Sequence, residues 1–255
     1  MPLAGDRRRD RDTAFTLQRR CDDRKNRLLA CLPGEQFADL EPHLQVVQLT
    51  EGQVLYQSGE RPTHLYFPID AVISLQYTTA MGEPTEMACV GADGLVGIGL
   101  FMGGGTTLFQ AVVQCTGAAY RLSAAVLTEA FERGGAFRHL ILRYSQALIT
   151  QISQTAVCNR HHTVYQQLCR WLLRRLELVP GTEVMATQEG IAHGLGVRRE
   201  SVTEAASQLS REHVIECSRG RIHVLDPVKL LNSACECHAV VKGEYRRLLP
   251  PKVAT

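Results

Sequence analysis

The sequence lacks any apolar run of the ~18 residues needed to span a bilayer, so no transmembrane helix is expected. No apolar stretch follows the arginines of MPLAGDRRRDRD, so this N-terminus does not read as a secretory signal. Its nine cysteines are odd in number and scattered, which argues against a disulfide framework and for a reducing cytoplasm. There is no C-x-x-C-H haem motif, no phosphate-cradling glycine loop and no nucleophile–base arrangement. His43, His64 and His139 stand alone, without the clustered ligands of a metal oxygenase. An enzyme is therefore not expected.

Positive charge is almost missing from the middle of the chain. Residues 28–136 hold 3 Lys+Arg against 11 Asp+Glu. Residues 1–27 hold 9 against 5, and residues 137–255 hold 16 against 10. A basic C-terminal half behind an acidic middle fits either a polyanion partner or two surfaces of unequal charge. At 255 residues and 45% hydrophobic, the chain has room for two modest domains with buried cores.

Residues 1–27, rich in Arg and Asp, read as a mobile basic arm. LLACLPGEQFADL (28–40) reads as a short helix pair broken at Pro33-Gly34. Seven apolar alternations follow between residues 44 and 123: LQVVQL, QVLYQ, HLYFPI, AVISLQYTT, TEMACVG, FQAVVQC and AAYRLS. Their 8–12-residue spacing, punctuated by glycines, predicts an antiparallel barrel or sandwich over the acidic segment, residues 28–136.

AAVLTEAFER (124–133) predicts a short helix stopped at Gly134-Gly135. In residues 137–159, Phe137, Leu140, Ile141, Tyr144, Leu148, Ile152 and Thr155 recur at steps of three and four. With Ala147 and Gln151 they make a face too wide for a surface helix. It is read as a dimerisation seam, with packing on the helix's own β domain as the alternative. A further helix spans residues 161–179, with Val164, Leu168, Trp171, Leu172 and Leu176 inward and Arg170, Arg174 and Arg175 outside. Cys169 reads as inert packing.

The most specific pattern is QEGIAHGLGVRRESVTEAASQLSREHVI, from Gln188. Ile191, Ala192 and Leu195 fit one short helix, Gly196 supplies a turn, and Val202, Ala205, Ala206 and Leu209 stripe a second. Small alanines let the two helices approach, as in a helix-turn-helix. The second helix of such a unit enters the DNA major groove with its N-terminal residues on base edges. Its outward positions are Arg199, Glu200, Thr203, Glu204 and Ser207. Arg donates in parallel to guanine O6 and N7, Glu accepts from the cytosine amino group, and a Thr methyl touches thymine. Arg198 falls at the cap position without a capping oxygen, so a phosphate is the acceptor expected there; Ser201 is a second phosphate contact. VIECSRGRIHVLD (214–226) predicts a hairpin wing with Arg219 and Arg221 near a phosphate strand.

Residues 226–249 predict a last helix. Within it Cys235, Cys237 and His238 offer at most three ligands, and helical geometry turns residues 235 and 237 about 200° apart. Cys158 with His161-His162 is a second sparse group. No metal and no cofactor is expected from either.

This order of parts, over residues 37–230, resembles the Crp/Fnr superfamily of bacterial transcription regulators. VRRESVTEAASQL resembles the family's recognition helix, where an Arg-Glu pair followed by Ser or Thr and Val reads the operator; those positions are Arg199, Glu200, Ser201 and Val202. Glu204 stands where the family often has a third reading residue, an Arg. The implied fold is α+β: an N-terminal antiparallel β-roll of cyclic-nucleotide-binding type, a long dimerisation helix (137–159), a winged helix-turn-helix (160–230) and a C-terminal helix and tail (231–255). The resemblance places an effector pocket at Gly97, Gly99, Thr106 and Thr107. There Gly97 replaces the family's ribose-binding Glu, and LFMGGGTTLFQAVV contains no Arg for a cyclic phosphate. A buried phosphate without a cation is poorly compensated, so cAMP binding by the usual mode is not expected.

The oxygen-sensing branch of the family ligates an iron–sulfur cluster, but the spacing of Cys21, Cys31, Cys89 and Cys115 does not match its pattern. The expected protein is a homodimeric, sequence-specific regulator acting on a near-palindromic operator, with RNA polymerase and an unknown small-molecule effector as further partners and no membrane partner. A cysteine-based redox or metal sensor is the alternative.

Overall fold

Each of the seven apolar alternations forms one short strand: β1 Gln45–Leu49, β2 Val54–Tyr56, β3 His64–Pro68, β4 Val72–Thr78, β5 Pro84–Val90, β6 Gln110–Cys115 and β7 Gly117–Ser123. The structure is a computed structural model and describes residues 25–179 and 181–249. The strands pair antiparallel in two sheets, ordered β1-β7-β3 and β2-β6-β4-β5. Period-two alternation sends Leu65, Phe67, Ile73, Leu75, Val90, Ala111, Val113, Ala119 and Leu122 into one core between them.

Two short helices, α1 (Arg27–Ala30) and α2 (Gly34–Leu40), flank the Pro33 break and add Leu28, Leu29, Leu32 and Phe37 to that core. Asn26, placed by the sequence in the basic arm, is fully buried. Its Oδ1 caps α1 by accepting from the Leu29 amide at 3.0 Å, and its Nδ2 donates to the carbonyls of Pro68 (2.7 Å) and Gly94 (3.1 Å). Residues 1–24 of the expected arm, with Cys21, lie outside the described residues.

Helix α3 (Ala124–Arg133) ends at Gly134, whose φ of +83° suits glycine. The long helix α4 runs Gly135–His161, 27 residues or about 40 Å. Its stripe is not available as a dimer seam. Phe137, Ile141, Tyr144, Ala147 and Leu148 are buried in the β-roll core, and Leu140 and Ile152 pack against it. The face is wide because α4 is gripped from two sides. Gln151 donates to the Cys89 carbonyl on β5 (3.2 Å) and accepts from the Tyr245 hydroxyl of the last helix (2.8 Å). Tyr144 lies so close under Gly94 that a Cβ there would come within 2.5 Å of its hydroxyl oxygen.

The C-terminal unit comprises α5 (Val164–Leu178), β8 (Glu183–Met185), α6 (Gln188–Leu195), α7 (Arg199–Arg211), β9 (Ile215–Ser218), β10 (Arg221–Val224), α8 (Pro227–Ser233) and α9 (Cys237–Leu248). A reciprocal capping box between Thr163 and Gln166 starts α5. Leu168, Trp171, Leu172, Ile191, Leu195, Val202, Leu209, Val214, Ile222 and Leu230 form a second core.

Two further expectations need correction, and one strand was not foreseen. The arginines of α5 do not face solvent. Arg175 makes a buried ion pair with Glu86 of β5 at 2.7 Å, and Arg174 pairs with Asp93 at 2.8 Å, because this face of α5 docks on the β-roll. Arg170 is only half-exposed, and its Nε is buried. The last helix is two helices: Ala234 is extended (φ −78°, ψ 157°), since Leu230 belongs to the second core while Val241 and Tyr245 join the first. One straight helix cannot serve both. The strand β8 was not expected; three residues carry too little periodicity to show. Among the described residues no helix is long and apolar enough to cross a membrane.

Candidate nucleic-acid interface

Thr187 caps α6 by accepting from the Gly190 amide at 3.0 Å, and Gly196 ends it in the left-handed region (φ 66°, ψ 37°). That turn aims α7 across α6. Val202, Ala205, Ala206 and Leu209 are the buried positions of α7. Arg199, Glu200, Thr203, Glu204 and Ser207 are exposed on the opposite face, and Ser201 is half-buried. Arg198 takes the cap position (φ −71°, ψ 145°) with no side-chain hydrogen bond; the Ser201 amide donates to the Arg198 carbonyl (3.1 Å), and the Arg199 and Glu200 amides are left to another acceptor. With the helix dipole they favour an anion at this end.

The hydroxyl of Thr203 lies between two acceptors for its one proton, Gln188 Oε1 (2.8 Å) and the Arg199 carbonyl (3.0 Å), which fixes its rotamer with respect to α6. Gln188, the first residue of α6, was not singled out in the sequence; its position after the Thr187 cap was the available signal. Glu204 makes no ion pair with Arg199 or Arg211 among the described residues.

The predicted hairpin is β9–β10, and β8 completes a sheet ordered β8-β10-β9. Arg219 is exposed at its tip, and Arg221 lies 3.6 Å from Glu183 of β8. Both members of that pair are exposed, so it contributes ~0–1 kcal/mol and leaves Arg221 free to exchange partners. A groove of about 290 Å³ lies between the wing and the start of α7, lined by Gln188, Glu189, Arg199, Arg219 and Arg221. Helix and wing cations thus border one concavity.

In the β-roll, Gly97 adopts φ +113°, and a Cβ there would lie 3.2 Å from the His64 carbonyl. A Cβ on Gly99 would lie 3.1 Å from the Thr106 carbonyl. The segment folds tightly on itself: the Gly105 amide donates to the Gly99 carbonyl (3.2 Å) and the Phe109 amide donates to Thr107 Oγ1 (3.2 Å). The four expected pocket residues are therefore neighbours along this loop. The segment has no arginine of its own; Arg61, from the β2–β3 loop, passes 3.9 Å from where a Gly105 Cβ would stand. A larger cavity, about 710 Å³, lies elsewhere and is lined by Asp93, Gln151, Arg170, Arg174, Lys242 and Tyr245 among others.

The two sparse cysteine–histidine groups come together. Cys158, His162, Cys235 and Cys237 place their ligand atoms within 4.8 Å of one another. His161 and His238 are not members.

An antiparallel β-roll joined through one long helix to a winged helix-turn-helix defines a DNA-binding regulator. Family models agree on both halves: a cyclic nucleotide-binding domain matches residues 46–133 and a Crp-like helix-turn-helix domain matches residues 166–233. The chain belongs to the Crp/Fnr superfamily of transcription regulators. Its fold is similar to that of FixK2 from Bradyrhizobium japonicum (13% identity, TM-score 0.66, covering 75% of this chain and 98% of that one). It is also similar to the c-di-GMP-responsive global regulator CLP of Xanthomonas campestris (16%, 0.62, 75% and 99%). A CRP-family transcriptional regulator from Thermus thermophilus matches at 18% identity, with TM-score 0.62 over 74% and 96% of the two chains. Comparison with curated proteins gives no match.

Proposed function

We propose that the chain is a homodimeric, sequence-specific DNA-binding regulator of the cytoplasm and not an enzyme. The observation that carries this reading is the solvent-facing first turn of α7. It has uncapped amides, Arg199 and Glu200 side by side, and a fixed Thr203, all beside the cations of the wing. Arg199, Glu200, Thr203, Glu204 and Ser207 read base edges; Arg198, Ser201, Arg219 and Arg221 hold phosphates.

Dimerisation uses the outer face of α4, because its inner face is occupied. Leu142 (43% exposed), Ile149 (42%) and Ala156 recur every seven residues on that face, with Val157 (44%) beside them. This is the spacing of a two-helix seam. Two copies joined there would set two recognition helices into successive major grooves of a near-palindromic operator. The β-roll takes an effector other than cAMP in its usual mode and signals through α4, with RNA polymerase as a further partner on DNA.

Selection of bound sequences from a random DNA pool tests the reading. The parent protein enriches a near-palindromic motif, and Arg199→Ala relaxes one base pair in each half-site. A parent protein that enriches nothing refutes the reading.

A further inference from the structure

Four side chains far apart in sequence converge where the long helix meets the DNA-binding domain. Cys158 lies in the last turn of α4, and His162 is its C-cap residue. Cys235 lies in the link between α8 and α9, and Cys237 opens α9. The three cysteines are buried, and the His162 side chain is 14% exposed. Cys158 Sγ and Cys235 Sγ lie 3.6 Å apart, and Cys237 Sγ lies 3.4 Å from His162 Nδ1.

These spacings can be compared with a tetrahedral site. Metal–sulfur bonds of about 2.3 Å and a metal–nitrogen bond of about 2.0–2.1 Å give tetrahedron edges of roughly 3.5–3.8 Å. Both measured edges are within about 0.2 Å of that range, and no ligand pair exceeds 4.8 Å. Small side-chain rotations close the remainder.

The surroundings orient the donors. His162 Nε2 lies 3.3 Å from Glu236 Oε1. A proton held on Nε2 by this carboxylate leaves the Nδ1 lone pair directed at the three sulfurs, the arrangement that outer-sphere carboxylates give to metal-bound histidines. Gln154 Nε2 donates to Cys237 Sγ at 3.2 Å, a contact that strengthens when the sulfur is a thiolate. The guanidinium of Arg170 stands beside Cys158, and its Nε is buried without a hydrogen-bond partner. Three thiolates, a neutral imidazole and a dication sum to one negative charge, and Arg170 supplies the nearby positive one. A packing cluster of three thiols needs neither the imidazole and its carboxylate nor the amide donor.

We propose that Cys158, His162, Cys235 and Cys237 form a tetrahedral site for a zinc-class divalent cation. The ion is thiolate-seeking rather than oxygen-seeking, since three of the four donors are sulfur. Binding forms three metal–sulfur bonds and one metal–nitrogen bond, and the three thiol protons leave to solvent. The ligands come from the end of α4, from the residue before Thr163, from the α8–α9 link and from the first residue of α9. A bound ion therefore ties the last helix to the joint between the long helix and the DNA-binding domain. The site stands apart from the DNA-reading surface, and neither inference depends on the other.

The test uses the full chain, purified in reductant without chelator, then stripped and titrated with Zn²⁺ and with Co²⁺. The expected result is one ion per chain, proton release on binding, and a cobalt spectrum of tetrahedral thiolate type. Glu236→Gln changes an exposed carboxylate and weakens zinc binding by ~10–100-fold. Cys235→Ser, losing a ligand itself, weakens it more, and Cys217→Ser in the wing leaves it unchanged. Circular dichroism verifies folding of each variant. A folded parent chain that takes up no zinc, an octahedral cobalt spectrum, or a Cys235→Ser variant binding as tightly as the parent would each overturn the proposal.

Discussion

Arg175 of the DNA-binding unit and Glu86 of the β-roll form an ion pair of 2.7 Å, with side chains only 6% and 10% exposed. The guanidinium also stacks over Trp171 and donates to the Cys89 sulfur. The two units are therefore joined by a desolvated charge pair, and not only by the chain of α4.

Removing one member strands the other without water. Glu86→Ala should destabilise the protein by ~3–5 kcal/mol, whereas Glu86→Gln with Arg175→Met should recover most of that loss. Urea unfolding of the two variants beside the parent measures it. Equal stability of parent and Glu86→Ala would show the pair to be solvated.

On the DNA side the two kinds of arginine separate. Arg199→Ala should cost ~1–3 kcal/mol at one base pair per half-site. Arg219→Ala should weaken all sequences alike and lower the salt slope by about one. Glu204→Ala should raise affinity for random DNA, because an acidic side chain without an ion pair is lost from a phosphate-facing helix. If Glu204 reads a cytosine, preference at that position should relax as well. Titration of operator and random duplexes at several salt concentrations reads all three.

Leu142→Glu or Ile149→Glu should turn the proposed dimer into a folded monomer, as read by light scattering, since both side chains lie on the outer face of α4. The control is Leu148→Ala, a buried position that should cost ~2–5 kcal/mol of stability instead. A dimer that survives both glutamates would move the seam elsewhere.

Gly97 tests the tight loop of the β-roll. Gly97→Ala places a Cβ at a positive φ and close to the His64 carbonyl, at a cost of ~1–3 kcal/mol. Isothermal titration of the parent with cAMP should show no sub-micromolar binding.

Burial pushes the thiols of Cys89 and Cys169 up to about 12 from an ordinary value of 9.0. Below pH 9 both the folded and unfolded thiols are protonated, so neither affects stability. Above it the unfolded thiols ionise and the folded ones do not, so the native state binds more protons and stability falls as pH rises towards 12. Urea midpoints should drop from about pH 9 upward, towards pH 12. Alkylation of the folded protein should reach exposed Cys217 well before either buried thiol.

Much of this molecule was legible in the sequence because its signals are local. Period-two alternation marked all seven strands of the β-roll. Gly196 and the Val202–Leu209 stripe marked the helix-turn-helix, and the missing cap at Arg198 marked an anion-seeking helix end. Two misreadings share one cause: each concerned what a helix face meets. The apolar face of α4 could have met a second copy or its own β-roll, and periodicity is the same for both. The arginines of α5 looked solvent-facing because their partners, Glu86 and Asp93, are 89 and 81 residues away in sequence.

The sequence by itself determined most of the elements in their order, the apolar stripes of the two cores and the exposed positions of α7, since these follow from side-chain period, turn chemistry and charge within short windows. Tertiary structure alone decided which faces pair. It buried the α4 stripe and drew Arg175 onto Glu86. It also broke the last helix at Ala234, because Leu230 and Val241 belong to different cores. That break lets Cys235 and Cys237, which an unbroken helix would have pointed apart, face Cys158 and His162 together.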